Sequence, residues 1–230
     1  MTTIPGNLQH VRARIATACQ RAGRGVEEVT LLAVSKTFGA DAVRAAAAAG
    51  QRAFGENYIQ EGVEKIAALR DLGLMWHCIG PIQSNKTRLV AEHLDWVHTV
   101  DRLKIAERLS AQRPADRPPL NVCIQVNIDG GANKSGVAPC EALALARAVA
   151  ALPQLKLRGL MSIPEIAPDF EAARAVHASA RALFDQLNAD GLGLDTLSMG
   201  MSDDLEAAIA AGSTTVRIGT AIFGSRAPKP

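Results

Sequence analysis

Short runs of β-branched and aliphatic residues alternate along the chain with longer stretches rich in Ala, Leu and Arg. This alternation predicts an α/β fold built on parallel strands, with the apolar runs as strands and the longer segments as helices. The first pair is a strand over residues 29–35 followed by a helix over 41–49. Further strands are predicted at 52–54, 75–79, 96–100, 120–127, 156–161, 196–199 and 215–218. Helices are predicted between them at 58–70, 84–93, 103–111, 139–151, 169–189 and 203–211, and residues 7–22 form an extra N-terminal helix before the first strand. So many strand-helix units in 230 residues favour a compact (β/α)8 TIM barrel over a doubly wound sheet.

Composition narrows the field. A chain of this length buries roughly 70% of its surface, enough for one substantial core. No linker or low-complexity segment divides it, so residues 1–230 are read as a single domain, with Arg113-Pro-Ala-Asp-Arg-Pro-Pro119 as a proline-stiffened loop. With 25 basic against 23 acidic residues there is no dense positive field, which argues against a nucleic-acid binder. Cys19, Cys78, Cys123 and Cys140 lie far apart in apolar stretches, the usage of buried free thiols in a reducing compartment. The N-terminus has no signal-peptide pattern, and no uncharged apolar run approaches the ~18 to 20 residues of a membrane span. A cytoplasmic protein without membrane partners is expected. The sequons at Asn85 and Asn133 are read as chance.

In a barrel the chemistry gathers at the carboxyl ends of the strands. The first strand runs into Ser35-Lys36-Thr37, where a partly desolvated lysine forms an imine with a carbonyl or, alternatively, snorkels at the rim. After the second strand, Asn57 in Gly55-Glu-Asn-Tyr58 either holds a ligand oxygen or caps the next helix. His77 lies in an apolar run and reads as a core histidine. The glycine-rich loop around Lys134 lacks the P-loop spacing and reads as a loop over the mouth. The last two strands lead into Leu197-Ser-Met-Gly-Met-Ser-Asp-Asp204 and Val216-Arg-Ile-Gly-Thr220. Ser198, Gly219 and Thr220 suit a phosphate, although Gly200 and Gly219 also read as turn glycines and Ser202-Asp203 as a helix cap. With Lys36 on the first strand and Arg217 on the last, the set fits pyridoxal 5'-phosphate. A guanidinium only donates, so beside the pyridine nitrogen Arg217 disfavours the protonated ring.

These segments resemble the pyridoxal phosphate homeostasis protein family. The resemblance is carried by Leu32-Ala-Val-Ser-Lys-Thr37, Phe54-Gly-Glu-Asn-Tyr-Ile-Gln-Glu61, His77-Cys-Ile-Gly-Pro-Ile-Gln-Ser-Asn-Lys86, Asn133-Lys-Ser-Gly136, Gly159-Leu-Met161, Leu197-Ser-Met-Gly-Met-Ser202 and Val216-Arg-Ile-Gly-Thr220. It implies a fold-type III barrel like the N-terminal domain of alanine racemase, with pyridoxal 5'-phosphate held as a covalent imine on Lys36. It further implies Arg217 facing the ring nitrogen, Asn57 beside the ring, and Ser198, Gly219 and Thr220 on the phosphate. The racemase second domain, with its tyrosine acid/base, is not expected. No catalytic or metal-binding residue is therefore assigned. The implied role is cofactor buffering and delivery, with balance of amino- and keto-acid pools, by a monomer whose recipients are apo forms of pyridoxal-phosphate enzymes. The rivals are a racemase or decarboxylase of the same fold and a cofactor-free lysine-imine aldolase. One departure stands out: family members commonly read Ser-Lys-Thr-Lys-Pro, whereas Phe38 and Gly39 follow Thr37 here. A lysine relay would then fall to Lys134 or Lys229.

Overall fold

The computed structural model describes residues 3–131 and 134–225. Helix α1 (Ile4–Arg21) precedes the first strand and starts a turn earlier than its apolar period predicts. Thr3 caps it by accepting from the Gly6 amide at 3.3 Å, and Pro5 suits the first turn, where no N–H is required. Its stripe of Leu8, Val11, Ile15, Ala18 and Cys19 is buried, each large side chain contributing about 1.5 to 3 kcal/mol.

The strands β1 (Thr30–Val34), β2 (Ala53–Glu56), β3 (Met75–Cys78), β4 (Trp96–Val100), β5 (Leu120–Val126), β6 (Leu155–Ser162), β7 (Thr196–Ser198) and β8 (Thr215–Ile218) form a closed parallel barrel in sequence order. It is the predicted TIM barrel. Closure is made by β1 against β8, with Leu32 opposite Arg217 and Ala33 opposite Ile218. Between the strands run α2 (Ala40–Ala48), α3 (Ile59–Ala68), α4 (Thr87–His93), α5 (Leu103–Gln112), α6 (Pro139–Ala150), α7 (Phe170–Ala189) and α8 (Leu205–Ala210), and α9 (Thr220–Phe223) follows β8.

The main apolar core lies between strands and helices and includes Val43, Phe54, Val97, Ile124, Leu160 and Phe184. Leu32, Val34 and Ile79 form a second, small apolar cluster apart from that core, with Ala53 packed against it. The buried interior is otherwise rich in polar groups, among them Glu56, His77, His98, Ser198 and Arg217.

Several boundaries differ from expectation for identifiable reasons. Gly55 and Glu56 belong to β2 rather than to the loop after it. The residue before α3 is Tyr58, with no side-chain cap, so Asn57 does not cap that helix. Residues 84–86 form a 3-10 turn before α4, and the predicted helix at 203–211 shortens to α8. Helix α9 was not predicted, being too short to show a period. Cys19, Cys78 and Cys123 are buried, but Cys140 is exposed because α6 turns Ala142, Ala146 and Val149 to the core instead. Among the described residues no helix is long and apolar enough to cross a membrane.

Where β6 meets β7, Gly159 lies so close to its neighbour that an added Cβ would sit 1.7 Å from the Thr196 carbonyl oxygen. Gly159→Ala is expected to destabilise the barrel by about 2 to 3 kcal/mol, because backbone, not a flexible side chain, has to move. Urea unfolding checks this; a loss below about 0.5 kcal/mol, the scale of an ordinary surface change, would show that the two strands separate freely.

Candidate functional site

At the carboxyl ends of the strands a cavity of about 220 Å³ opens, lined by Lys36 after β1, Asn57 after β2, Ser202 after β7, and Arg217, Gly219 and Thr220 from β8 and the start of α9. Five of the six residues expected at the site therefore share one cavity. The sixth, Ser198, does not line it: it is fully buried beneath, with its hydroxyl already engaged.

A buried ion network holds the segment that carries Lys36. On α3, the Lys65 ammonium donates to the Ser35 carbonyl at 2.8 Å, to Glu56 Oε1 at 2.7 Å and to Glu61 Oε1 at 2.6 Å. The Ser35 hydroxyl also donates to Glu56 Oε1, at 2.6 Å. Burial pushes the Glu56 carboxyl up, against the hydrogen bonds from Lys65 and Ser35 that draw it down. Glu61 Oε1 in turn accepts the Thr37 amide at 2.7 Å. Thr37 has φ 70°, a left-handed conformation that is a genuine outlier for a β-branched residue. Both neighbours of Lys36 are thus fixed by the same ammonium, one directly and one through Glu61.

Below the cavity, Arg217 is only 4% exposed. Its Nη1 donates to the Ser198 carbonyl at 2.8 Å and to Ser198 Oγ at 2.9 Å, and its Nη2 donates to the Ser162 carbonyl at 2.9 Å. Burial pushes the guanidinium down to about 10, which leaves it charged at neutral pH. From Ser198 Oγ the chain continues to His98 Nδ1 at 2.9 Å, and from His98 Nε2 to His77 Nδ1 at 2.9 Å. Because Arg217 can only donate, the Ser198 proton is left for His98, which donates in its turn to His77. Burial pushes His77 down to about 3 and His98 well below its ordinary value, so both rings are neutral at neutral pH. His77 is the core histidine expected, stacked on Trp96 with centroids 5.3 Å apart.

Asn57 reaches the cavity because Gly80 lets the two loops touch: a Cβ there would lie 2.1 Å from the Asn57 carbonyl oxygen. Its side-chain Oδ1 is buried with no hydrogen-bond partner among the described residues. A buried acceptor without a donor is costly, and a ligand with a hydrogen-bond donor would satisfy it. Phe38, at the departure noted above, lines the cavity and stacks on Phe223 with centroids 5.2 Å apart. Tyr58 is exposed and lies outside the lining. Lys134 donates to the Pro164 carbonyl at 3.3 Å, also outside the lining, and Asn133 and Lys229 fall outside the described residues.

The family model for the alanine racemase N-terminal domain matches residues 6–227. A protein of Pseudomonas aeruginosa named pyridoxal phosphate homeostasis protein is 63% identical over 226 residues, covering 98% of this chain and 97% of that one. The structure of PipY from Synechococcus elongatus with PLP bound aligns with a TM-score of 0.80 at 39% identity, covering 91% of this chain and all of that one. The chain belongs to the pyridoxal phosphate homeostasis protein family. Its likeness to alanine racemase of Clostridium difficile, with a TM-score of 0.69 at 16% identity over 95% of this chain and 57% of that one, is a likeness of fold.

Within this homeostasis-family barrel, the residues that sequence reasoning did not single out are Ser202 and the Lys65 network. The sequence reads Ser202 as part of a helix cap, whereas the cap position of α8 is Asp204 and Ser202 lines the cavity. The signal for Lys65 was its i,i+4 spacing from Glu61 on the helix that follows β2.

Lys65→Met is expected to destabilise the fold by about 3 to 5 kcal/mol, because it leaves the Glu56 carboxyl buried without its counter-charge. Adding Glu56→Gln should recover more than half of that loss in denaturant unfolding. Equal stabilities of the single and double variants would show that packing, not charge, is what Lys65 supplies.

Proposed function

We propose that the chain holds pyridoxal 5'-phosphate in the cavity between β1 and β8, with Lys36 as the covalent anchor, and serves cofactor homeostasis rather than a catalytic reaction of its own. The observation that carries this is the meeting of an amine, a buried guanidinium and a serine-glycine-threonine cradle within one cavity of about 220 Å³. The volume suits a single substituted ring with its phosphate, and the unpartnered Asn57 Oδ1 suits a donor on that ring. The name of the Pseudomonas aeruginosa relative and the PLP bound by PipY support the same reading.

When bound, the cofactor supplies an aldehyde for capture by an amine and a phosphate for retention. Lys36 presents the amine at a point set by Ser35 and Thr37. Gly219, Thr220 and Ser202 take the phosphate, the leading amides of a helix having no intrahelical acceptor. Ser198 acts from beneath, orienting Arg217 instead of touching the ligand. Arg217 meets the ring nitrogen as a donor whose own proton is retained, which leaves the ring a poor electron sink.

Proton removal from an amino acid also requires placed bases, and the titratable candidates are badly sited. Tyr58 is 54% exposed and outside the cavity, and His77 is buried at the far end of the Arg217 chain. On this reading the chain acts as one domain and as a cytoplasmic monomer, and passes its cargo to apo pyridoxal-phosphate enzymes.

Borohydride reduction of the purified protein followed by peptide mapping should place the cofactor on Lys36, and Lys36→Ala should lose the visible absorbance while melting at the temperature of the parent stripped of its cofactor. A label mainly on Lys134 or Lys86 would overturn the anchor. Incubation with alanine or serine in deuterated water should give Cα exchange no faster than free cofactor. Saturable exchange that disappears in Lys36→Ala would establish an enzyme instead.

A further inference from the structure

Lys36 and Thr220 stand on two separate pieces of chain, the turn after β1 and the short helix α9 after β8. A helix of one turn has little stability of its own, so α9 stays where its neighbours put it. On the side of α1, the Asn7 side-chain amide donates to the Ile222 carbonyl at 2.9 Å, and Ile222 is fully buried.

The contact with the turn after β1 is aromatic. Phe223, the last residue of α9, stacks on Phe38 with ring centroids 5.2 Å and planes 29° apart. Phe38 is half-buried and lines the cavity. An aromatic pair contributes about two- to tenfold in an equilibrium constant beyond the apolar area that it covers.

The ring of Phe38 is placed by the same turn that presents Lys36. Its amide donates to the Ser35 carbonyl at 3.1 Å, which closes a four-residue turn with Lys36 and Thr37 at its centre. Thr37, at φ 70°, fills the position where a type II turn requires a positive φ. The Ser35 carbonyl that closes the turn is also the one held by Lys65. A ring carried on so fixed a turn gives α9 a defined surface to rest on. It stands where the chain departs from the Lys-Pro common in its family, so the resemblance does not imply this contact.

We propose that Phe38 is a positioning residue and a determinant of specificity: through Phe223 it ties α9, and with it Thr220, to the turn that carries Lys36. A phosphorylated aldehyde engages both pieces at once and is favoured by the tie. An aldehyde without phosphate engages the turn alone and is not. This preference rests on the cofactor reading above, whereas the tie between turn and helix does not.

The tie is tested on the full chain without ligand, by hydrogen exchange at the Phe223 and Gly224 amides, which donate to the Gly219 and Thr220 carbonyls at 3.0 and 2.9 Å. Phe38→Leu, which stays apolar but loses the ring, should speed exchange there at least about threefold and leave β4 and β5 unchanged, and Phe38→Tyr should restore the parent rate. Unchanged rates in Phe38→Leu, acceleration spread over β4 and β5 as well, or Phe38→Tyr as fast as Phe38→Leu would overturn the tie. Specificity is read from the affinities for pyridoxal 5'-phosphate and for 5'-deoxypyridoxal, which lacks the phosphate and has no hydroxyl to close onto its aldehyde. Phe38→Leu and Phe223→Leu should each lower the ratio of the two affinities at least about threefold, and the double variant no further than either alone, because both remove the same stack. An unchanged ratio, as an equal loss for both aldehydes gives, or losses that multiply would overturn the role in specificity. If Phe38→Leu fails to fold, Phe223→Leu carries both measurements. A parent that captures neither aldehyde, seen as no visible absorbance on adding them, would refute the cofactor reading, and the exchange rates would still decide the tie.

Discussion

Everything at the mouth of this barrel depends on how one buried ammonium distributes its hydrogen bonds. Lys65 has three donors and meets three acceptors, the Ser35 carbonyl, Glu56 and Glu61, so a charge that is costly to bury is left with no unmet demand. Its partners then do further jobs. Glu56 receives the Ser35 hydroxyl, and Glu61 receives the amide of Thr37. Left-handed backbone at a β-branched residue costs on the order of 1 to 3 kcal/mol, and it persists only where the surroundings over-determine it. The direction in which Lys36 leaves β1 is therefore set by buried electrostatics contributed by α3, not by the local preference of its own loop.

The floor of the cavity follows a complementary logic. Arg217 spends its hydrogen bonds on two backbone carbonyls and a hydroxyl, and the donor direction runs from it through Ser198 and His98 to His77. The two rings are neutral, so the guanidinium is the sole charge in that chain and cannot be discharged along it. A side chain held by Ser162 and Ser198, on β6 and β7, has little freedom to swing away from a ligand above it. The mouth is thus positioned by an ion network and the floor by a neutral relay, and the two share no residue.

The strands were legible because short β-branched and aliphatic runs mark them even where a buried polar residue interrupts the run, as His98 does in β4 and Arg217 in β8, and both strands match expectation residue for residue. Helix ends were less so, since the start of α1 depends on the Thr3 cap, a single polar residue that periodicity does not weigh. Lys36, Arg217, Gly219 and Thr220, which line the cavity, stand out in the sequence by their positions at strand ends. Ser198 and Ser202 show the limit of that method: Ser198 ends β7 and Ser202 follows four residues later in the loop, yet depth along the barrel separates a buried support from a lining residue. The Lys65 network was hidden for a different reason. Whether an acidic-basic pair on a helix faces solvent or the barrel mouth depends on how the helix is rolled, which a single sequence does not state.

The cavity straddles the seam where β1 closes on β8, the strand pair with the greatest separation in sequence. Lys36 emerges early in synthesis and Thr220 near the end, so the two halves of the site are brought together only by the pairing that closes the barrel. A ligand spanning that seam adds its binding free energy to the slowest, least local contact of the ring. Occupancy then acts as a clasp on the finished cylinder. A partly folded or truncated chain has no such clasp, and an intact one that lacks its guest is expected to open first between its first strand and its last.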